Sequence, residues 1–289
     1  MTHYSFTSVV GDGPERLVAF IVERETVRQL RGRGSPWPWT SDGILQTFRF
    51  CNVHREDDAV TRWISRNWRE PYSGYDDLWH LMCMARWVNE PETLADYEGW
   101  NTKFPVWNPG ALARAFRVRR GSGMRLFNPA YMITTAGTKQ DKTEYVIEKL
   151  SALWKKRAGM RPRKGDTLNS WHMLLSCFDG LGSFLAGQVV ADMRYVEPLR
   201  SASDWQTFAA SGPGSRRGLN RVLGRPVSSP WNESDWRQAH YKLQTRMVVL
   251  LQRYKIELHG QDLQNCLCEF DKYERARLGE GRPKQRFRR

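Results

Sequence analysis

Few features of this sequence point to a staple, a metal or a membrane. The five cysteines, at positions 51, 83, 177, 266 and 268, are odd in number and form no Cys-x-x-Cys pair. Their spacing supports neither a disulfide framework nor a zinc site. No run of about eighteen apolar residues occurs and no signal peptide opens the chain, so the sequence reads as soluble and intracellular. No G-x-x-x-x-G-K-[ST] loop is present, which argues against a nucleotide kinase acting alone. Strand-like alternation is sparse, and no repeat or low-complexity block appears. Acidic residues are short: 31 Asp and Glu stand against 45 Lys and Arg, for a formal charge of +14.

An excess of that size points to a polyanionic partner, most simply nucleic acid. Aromatic residues make up 12% of the chain, with 13 Trp. Such rings stack on unpaired bases or pack a core. With 289 residues there is ample material for a core in one or two domains. Helical spacing recurs along the chain. Pro14–Arg31, Tyr75–Asn89, Pro109–Arg117, Lys142–Arg157, Leu168–Cys177, Trp236–Leu258 and Asp262–Arg277 all read as helices. Ile44–Arg69 reads as a long, interrupted helix, and Tyr131–Thr135 as a short strand or extended loop. The expectation is an all-α protein in one continuous helical domain over 14–277. A weakly ordered lead-in (1–13) precedes it, and a basic, disordered tail (278–289) follows.

Three stretches carry candidate chemistry. The first is the hairpin 174–195, where two helices meet at Gly180-Leu181-Gly182. Glycines suit a turn that needs positive φ, and the helix after it presents free backbone N–H groups that hold a phosphate. Gly180, Gly182 and Ser183 are the candidate DNA contacts there. The second is Asp204 with the run Ser211–Arg225, which holds four glycines, one proline and four arginines. From its neighbours Asp204 reads as the N-cap of a helix starting at Trp205. The run reads as a flexible clamp in which Gly212, Gly214, Arg216 and Arg217 meet phosphate. The third is Arg49, Asn52, Arg55 and Asp58, which steps of three and four place on one helix face. Phe48, Phe50, Val53, Trp63 and Ile64 flank that face, so its polar groups need a ligand or internal ion pairs.

Four blocks together resemble a known family: PWPWTSDGILQTFRFCNVHREDD, GLGSFLAGQVVADMRY, DWQTFAASGPGSRRGL and DLQNCLCEFDKYERARLGEGRP. The sequence is similar to the DNA base hypermodification family, also described as the α-glutamyl/putrescinyl thymine pyrophosphorylase group and as the helical domain of hydroxymethyluracil DNA kinases. The likeness runs from about Arg24 to Arg282 and is weak over 70–120. It implies a two-lobed fold with a central cleft, like the helix-hairpin-helix DNA glycosylases. It also implies a phage protein working in the cytoplasm of an infected bacterium. The implied partners are DNA carrying an activated 5-hydroxymethyluracil and a free amino acid or polyamine. The implied reaction displaces pyrophosphate at the 5-methylene carbon. The implied site residues are Asn52, Arg55, Asp58, Asp204, Gly212, Gly214, Glu269, Lys272, Tyr273 and Arg282. Asp204, Asp58 and Glu269 are the catalytic candidates; Asn52, Arg55, Arg49, Lys272, Tyr273 and Arg282 are the substrate ligands. For Asp204 the catalytic role that the resemblance implies and the cap read from its neighbours carry equal weight. Asp204, the Asn52/Arg55/Asp58 group and the Glu269/Lys272/Tyr273 group are all expected to line one cleft. Phe184 stands where bifunctional glycosylases carry a lysine, which argues against Schiff-base chemistry. No cofactor is demanded, although Mg²⁺ is a natural companion of pyrophosphate. The competing readings are a base-excising glycosylase and a non-catalytic DNA-binding module.

Overall fold

A computed structural model describes residues 12–98, 106–128, 135 and 137–287. Among them the fold is all-α: thirteen α-helices with 3₁₀ and π turns between them, and no strand. The Tyr131–Thr135 segment falls almost wholly outside the described residues. The segment 14–277 divides between two compact units. One combines the chain up to Asp58 with the chain from Gln206 onward; the other is Ala59–Trp205.

The first unit holds α1 (Gly13–Gly32) and α2 (Gly43–Thr47), and the second holds α3 (Ala59–Ile64) to α10. These are α4 (Leu78–Val88), α5 (Pro91–Ala95), α6 (Pro109–Gly121), α7 (Lys142–Lys155), α8 (Arg157–Met160), α9 (Leu168–Ser176) and α10 (Gly182–Met193). The chain returns to the first unit with α11 (Pro213–Val222), α12 (Glu233–Leu251) and α13 (Gly260–Arg277).

In the first unit α1 begins where the Asp12 carboxylate accepts the Glu15 N–H (3.3 Å), with Pro14 in the first turn. Leu17, Phe20 and Ile21 of α1 meet Trp236, Met247, Leu263, Leu267 and Phe270 of α12 and α13 in one core. The run 211–225 is not a flexible loop. Pro213 opens a helix, and the Ser215 hydroxyl accepts the Gly212 N–H (2.9 Å). Its glycines serve close packing. A Cβ on Gly218 would sit on the Leu267 carbonyl, and one on Gly214 on the Cys268 sulfur, so α11 lies backbone-close to α13. Arg216 is spent on Ser211, Trp231 and Glu233. Arg217 and Arg221 both pair with the buried Asp271 at 2.9 Å.

Ile44–Arg69 is interrupted, as expected, but so widely that 48–54 is no helix: α2 ends at Thr47, residues 48–54 run extended, and only a 3₁₀ turn at Arg55–Asp57 precedes α3. The tail is not a free arm either. Arg49 N–H donates to Gln285 O (3.0 Å) and Phe287 N–H to Thr47 O (3.1 Å), and Phe287 packs edge-on to Trp39. The 48–54 segment leaves the helix because its amides find partners in the tail and in side chains.

The second unit is built around α4, in which every residue is buried. Its one guanidinium, Arg86, grips Asp192 of α10 through two hydrogen bonds of 2.5 and 2.6 Å. Thr61 and Asn89 take further N–H groups at 3.2 Å. A buried charge is tolerated only when paired and hydrogen-bonded in this way. Buried His80 donates to the Leu150 carbonyl (2.9 Å), and burial drives its pKa down to about 4. The turn between α9 and α10 passes through Gly180 and Gly182, with φ of +94° and +58°.

Candidate functional site

In the first unit the structure brings together residues from both ends of the chain. The 51–58 segment folds over α13 because its backbone is held by α13 side chains. The Cys51 N–H donates to Glu269 (3.0 Å), and Asn265 donates to the Asn52 carbonyl (3.1 Å). The Arg55 N–H donates to Asp262 (2.9 Å). The segment also closes on itself. Asp58 accepts the Asn52 N–H (2.9 Å), and the Asn52 side-chain amide donates to the Asp57 carbonyl (2.8 Å). Asn52, Arg55 and Asp58 therefore share a knot of turns rather than a helix face.

Charge is concentrated at this knot. Burial raises the Asp58 carboxyl from 3.8 to about 6, even though the Asn52 amide, Arg24 and Arg55 all favour its ionised form; Glu269 adds to the rise. Lys272 donates to Glu269 (2.6 Å), one turn earlier on α13. Burial opposes the Lys272 charge, but Glu269 outweighs it and holds the ammonium above its ordinary pKa. His54 approaches Asp262 (3.3 Å), and that contact raises the imidazole pKa against burial. A carboxyl that titrates near neutrality beside several cations is equipped to accept a proton while an anion is held close by.

Not every expected residue joins this group. Tyr273 is fully buried; its hydroxyl donates to Asp42 (2.7 Å), the cap of α2, and its ring packs against Phe20. Arg49 and Arg282 are exposed. Asp204 belongs to the second unit. Its two oxygens accept the N–H groups of Leu168 (2.7 Å) and Asn169 (2.9 Å), so it caps α9 and not a helix after itself. Trp205–Thr207 form a turn instead. In the hairpin, α10 starts without a side-chain cap, and Gly182, Ser183 and Phe184 are exposed.

The sequence reading missed Arg24, Arg28 and Arg31. They stand on one face of α1 beside Asn52 and Phe50. Their spacing of four and three was legible, but α1 reads as a core helix because Leu17, Phe20 and Ile21 dominate its pattern.

Among the described residues, no three His, Cys, Asp or Glu side chains are grouped to hold a metal ion. No helix among the described residues is long and apolar enough to cross a membrane.

The fold and this cluster define a helical protein that gathers carboxylates and cations where two distant chain segments meet. The chain belongs to the family described as 5-hmdU DNA kinase, helical domain, whose model matches residues 14–282. It is 26% identical over 227 residues to a 5-hmdU DNA kinase of Bacillus phage SP10, a match covering 70% of this chain and 35% of that protein. The chain thus spans about a third of that relative. No solved structure matches.

Proposed function

We propose that the protein is a DNA base hypermodification enzyme that joins an amine to the 5-methylene carbon of an activated 5-hydroxymethyluracil. The observation that carries this reading is Asp58, a carboxyl raised to about 6 within reach of Arg24 and Arg55. The family membership and the relative's named substrate, 5-hmdU in DNA, support the substrate class.

The amine nitrogen forms a C–N bond at the methylene carbon as the C–O bond to pyrophosphate breaks. Pyrophosphate leaves with the electron pair, and the amine proton passes to the Asp58 carboxylate. A pKa near working pH suits that transfer. Arg55 and Lys272 offset the leaving charge, while Glu269 fixes Lys272 and Asn52 fixes Asp58. We assign the base to Asp58 rather than Asp204, because both Asp204 oxygens already accept backbone N–H groups. The exposed, uncapped start of α10 supports phosphate contact at Gly182 and Ser183, and a base inside a duplex must be flipped to be reached.

The test is mass spectrometry of nucleosides from DNA bearing the pyrophosphorylated base, after incubation with the protein and mixed amino acids and polyamines. A new amino-linked nucleoside is expected, formed at least about a hundredfold more slowly by Asp58→Asn. Abasic sites in place of that nucleoside would establish a glycosylase. Full turnover by Asp58→Asn would remove the assigned base.

A further inference from the structure

Arg24, Arg28 and Arg31 line a recess in the first unit together with Asn52, walled by Phe48, Phe50 and Phe287. Arg28 is committed: it pairs with Glu25 (2.6 Å) and reaches Asp57 (3.4 Å). Arg31 forms no ion pair among the described residues. Its guanidinium lies over Phe287 and Trp39, at 5.1 and 5.5 Å from the ring centres. Partial burial and the neighbouring Arg49 both oppose its charge.

Arg24 is the informative member. It is 6% exposed, and its Nη2 donates to the Cys51 carbonyl. Its Nε and Nη1 have no hydrogen-bond partner among the described residues. The nearby thiol of Cys266 senses its charge but is a weak acceptor. Open N–H groups on a buried cation are expensive, and an oxyanion relieves the expense. Four guanidinium groups, with Arg49 as the fourth, stand against the carboxylates of Glu25, Asp57 and Asp58. A surplus of this kind suits a multiply charged phosphoryl group better than a single carboxylate.

We propose that this recess is a phosphate-binding subsite, with Arg24 as its buried anchor and Arg31 as its outer contact. The phosphate comes either from free pyrophosphate or from the backbone of a bound DNA strand. Only the choice of these two sources rests on the function proposed above.

Binding without turnover tests it. Sodium pyrophosphate is titrated by calorimetry, and an unmodified single-stranded oligonucleotide by fluorescence anisotropy, against wild type, Arg24→Gln and Arg31→Gln. If the source is free pyrophosphate, Arg24→Gln weakens its binding by about tenfold or more and leaves the oligonucleotide within about twofold. If the source is the DNA backbone, oligonucleotide affinity falls and its salt slope drops by about one. Unchanged affinity for both probes in a folded Arg24→Gln protein overturns the subsite. Should Arg24→Gln fail to fold, Arg31→Gln decides, with about threefold weaker binding expected and no change refuting. Arg24-dependent pyrophosphate binding in a protein that transfers no amine would uphold the subsite and overturn the transferase reading.

Discussion

Replacing Asp58 by Asn should change how stability responds to pH. The folded protein holds this carboxyl at about 6, against an ordinary value of 3.8. The folded state therefore keeps a proton that the unfolded chain has already released between those values. The sign follows: ionising Asp58 works against folding, so its contribution is least unfavourable below about pH 4 and worsens until about pH 6. At about 1.4 kcal/mol per pH unit, the full span is worth about 3 kcal/mol as an upper figure. Asparagine keeps the shape and the oxygen that accepts the Asn52 N–H, but it cannot ionise. Urea unfolding of both proteins at pH 4, 5, 6 and 7.5 measures the difference directly, with other titrating groups cancelling. Asp58→Asn should gain about 1–3 kcal/mol on wild type between pH 4 and 7.5. Parallel stability curves would show that Asp58 is solvated and ordinary, and the case for it as a base tuned near neutrality would fall with them.

Three more outcomes are expected. Asp192→Leu should destabilise the second unit by about 3–5 kcal/mol, because it strands the buried Arg86, and adding Arg86→Met should recover most of the loss; denaturant midpoints of the single and double variants check this. Gly218→Ala should lower stability by about 1–3 kcal/mol or more, since the new methyl meets the Leu267 carbonyl, and an unchanged melting temperature would contradict the α11–α13 packing. Asp204→Ala should cost about 1–2 kcal/mol through the first turn of α9, whereas Asp204→Asn should cost less, as read by thermal melts.

The helical class and most helix positions were legible, since Leu17, Phe20 and Ile21 or Leu263, Leu267 and Phe270 repeat at helical spacing. The hairpin turn was legible because positive φ leaves few residue choices besides glycine. The run 211–225 misled because glycine signals both flexibility and close approach, and only the partner helix, with Leu267 and Cys268 on it, decides between them. The knot at 51–58 misled for a related reason. Steps of three and four imply a helix face only if nothing stronger claims the backbone, and here Glu269, Asn265 and Asp262 claim it from more than 200 residues away. Asp204 was weighed as the cap of a helix starting at Trp205, whereas the helix whose first turn it holds lies upstream, a pairing no local pattern reveals.

The first unit is written in two instalments. Its opening helices are translated, then about 150 residues of the second unit, and only then the helices that complete its core. At a synthesis rate of about 5–20 residues per second, α1 leaves the ribosome roughly 12–50 seconds before α13. Through that interval Leu17, Phe20 and Ile21 lack their α13 partners Leu263, Leu267 and Phe270, and the 51–58 segment lacks every α13 side chain that shapes it. The second unit is contiguous and can fold first. The 51–58 segment thus gains Glu269, Asn265 and Asp262 only when α13 arrives, so a ribosome that stalls inside α12 releases a chain in which that segment lacks all three.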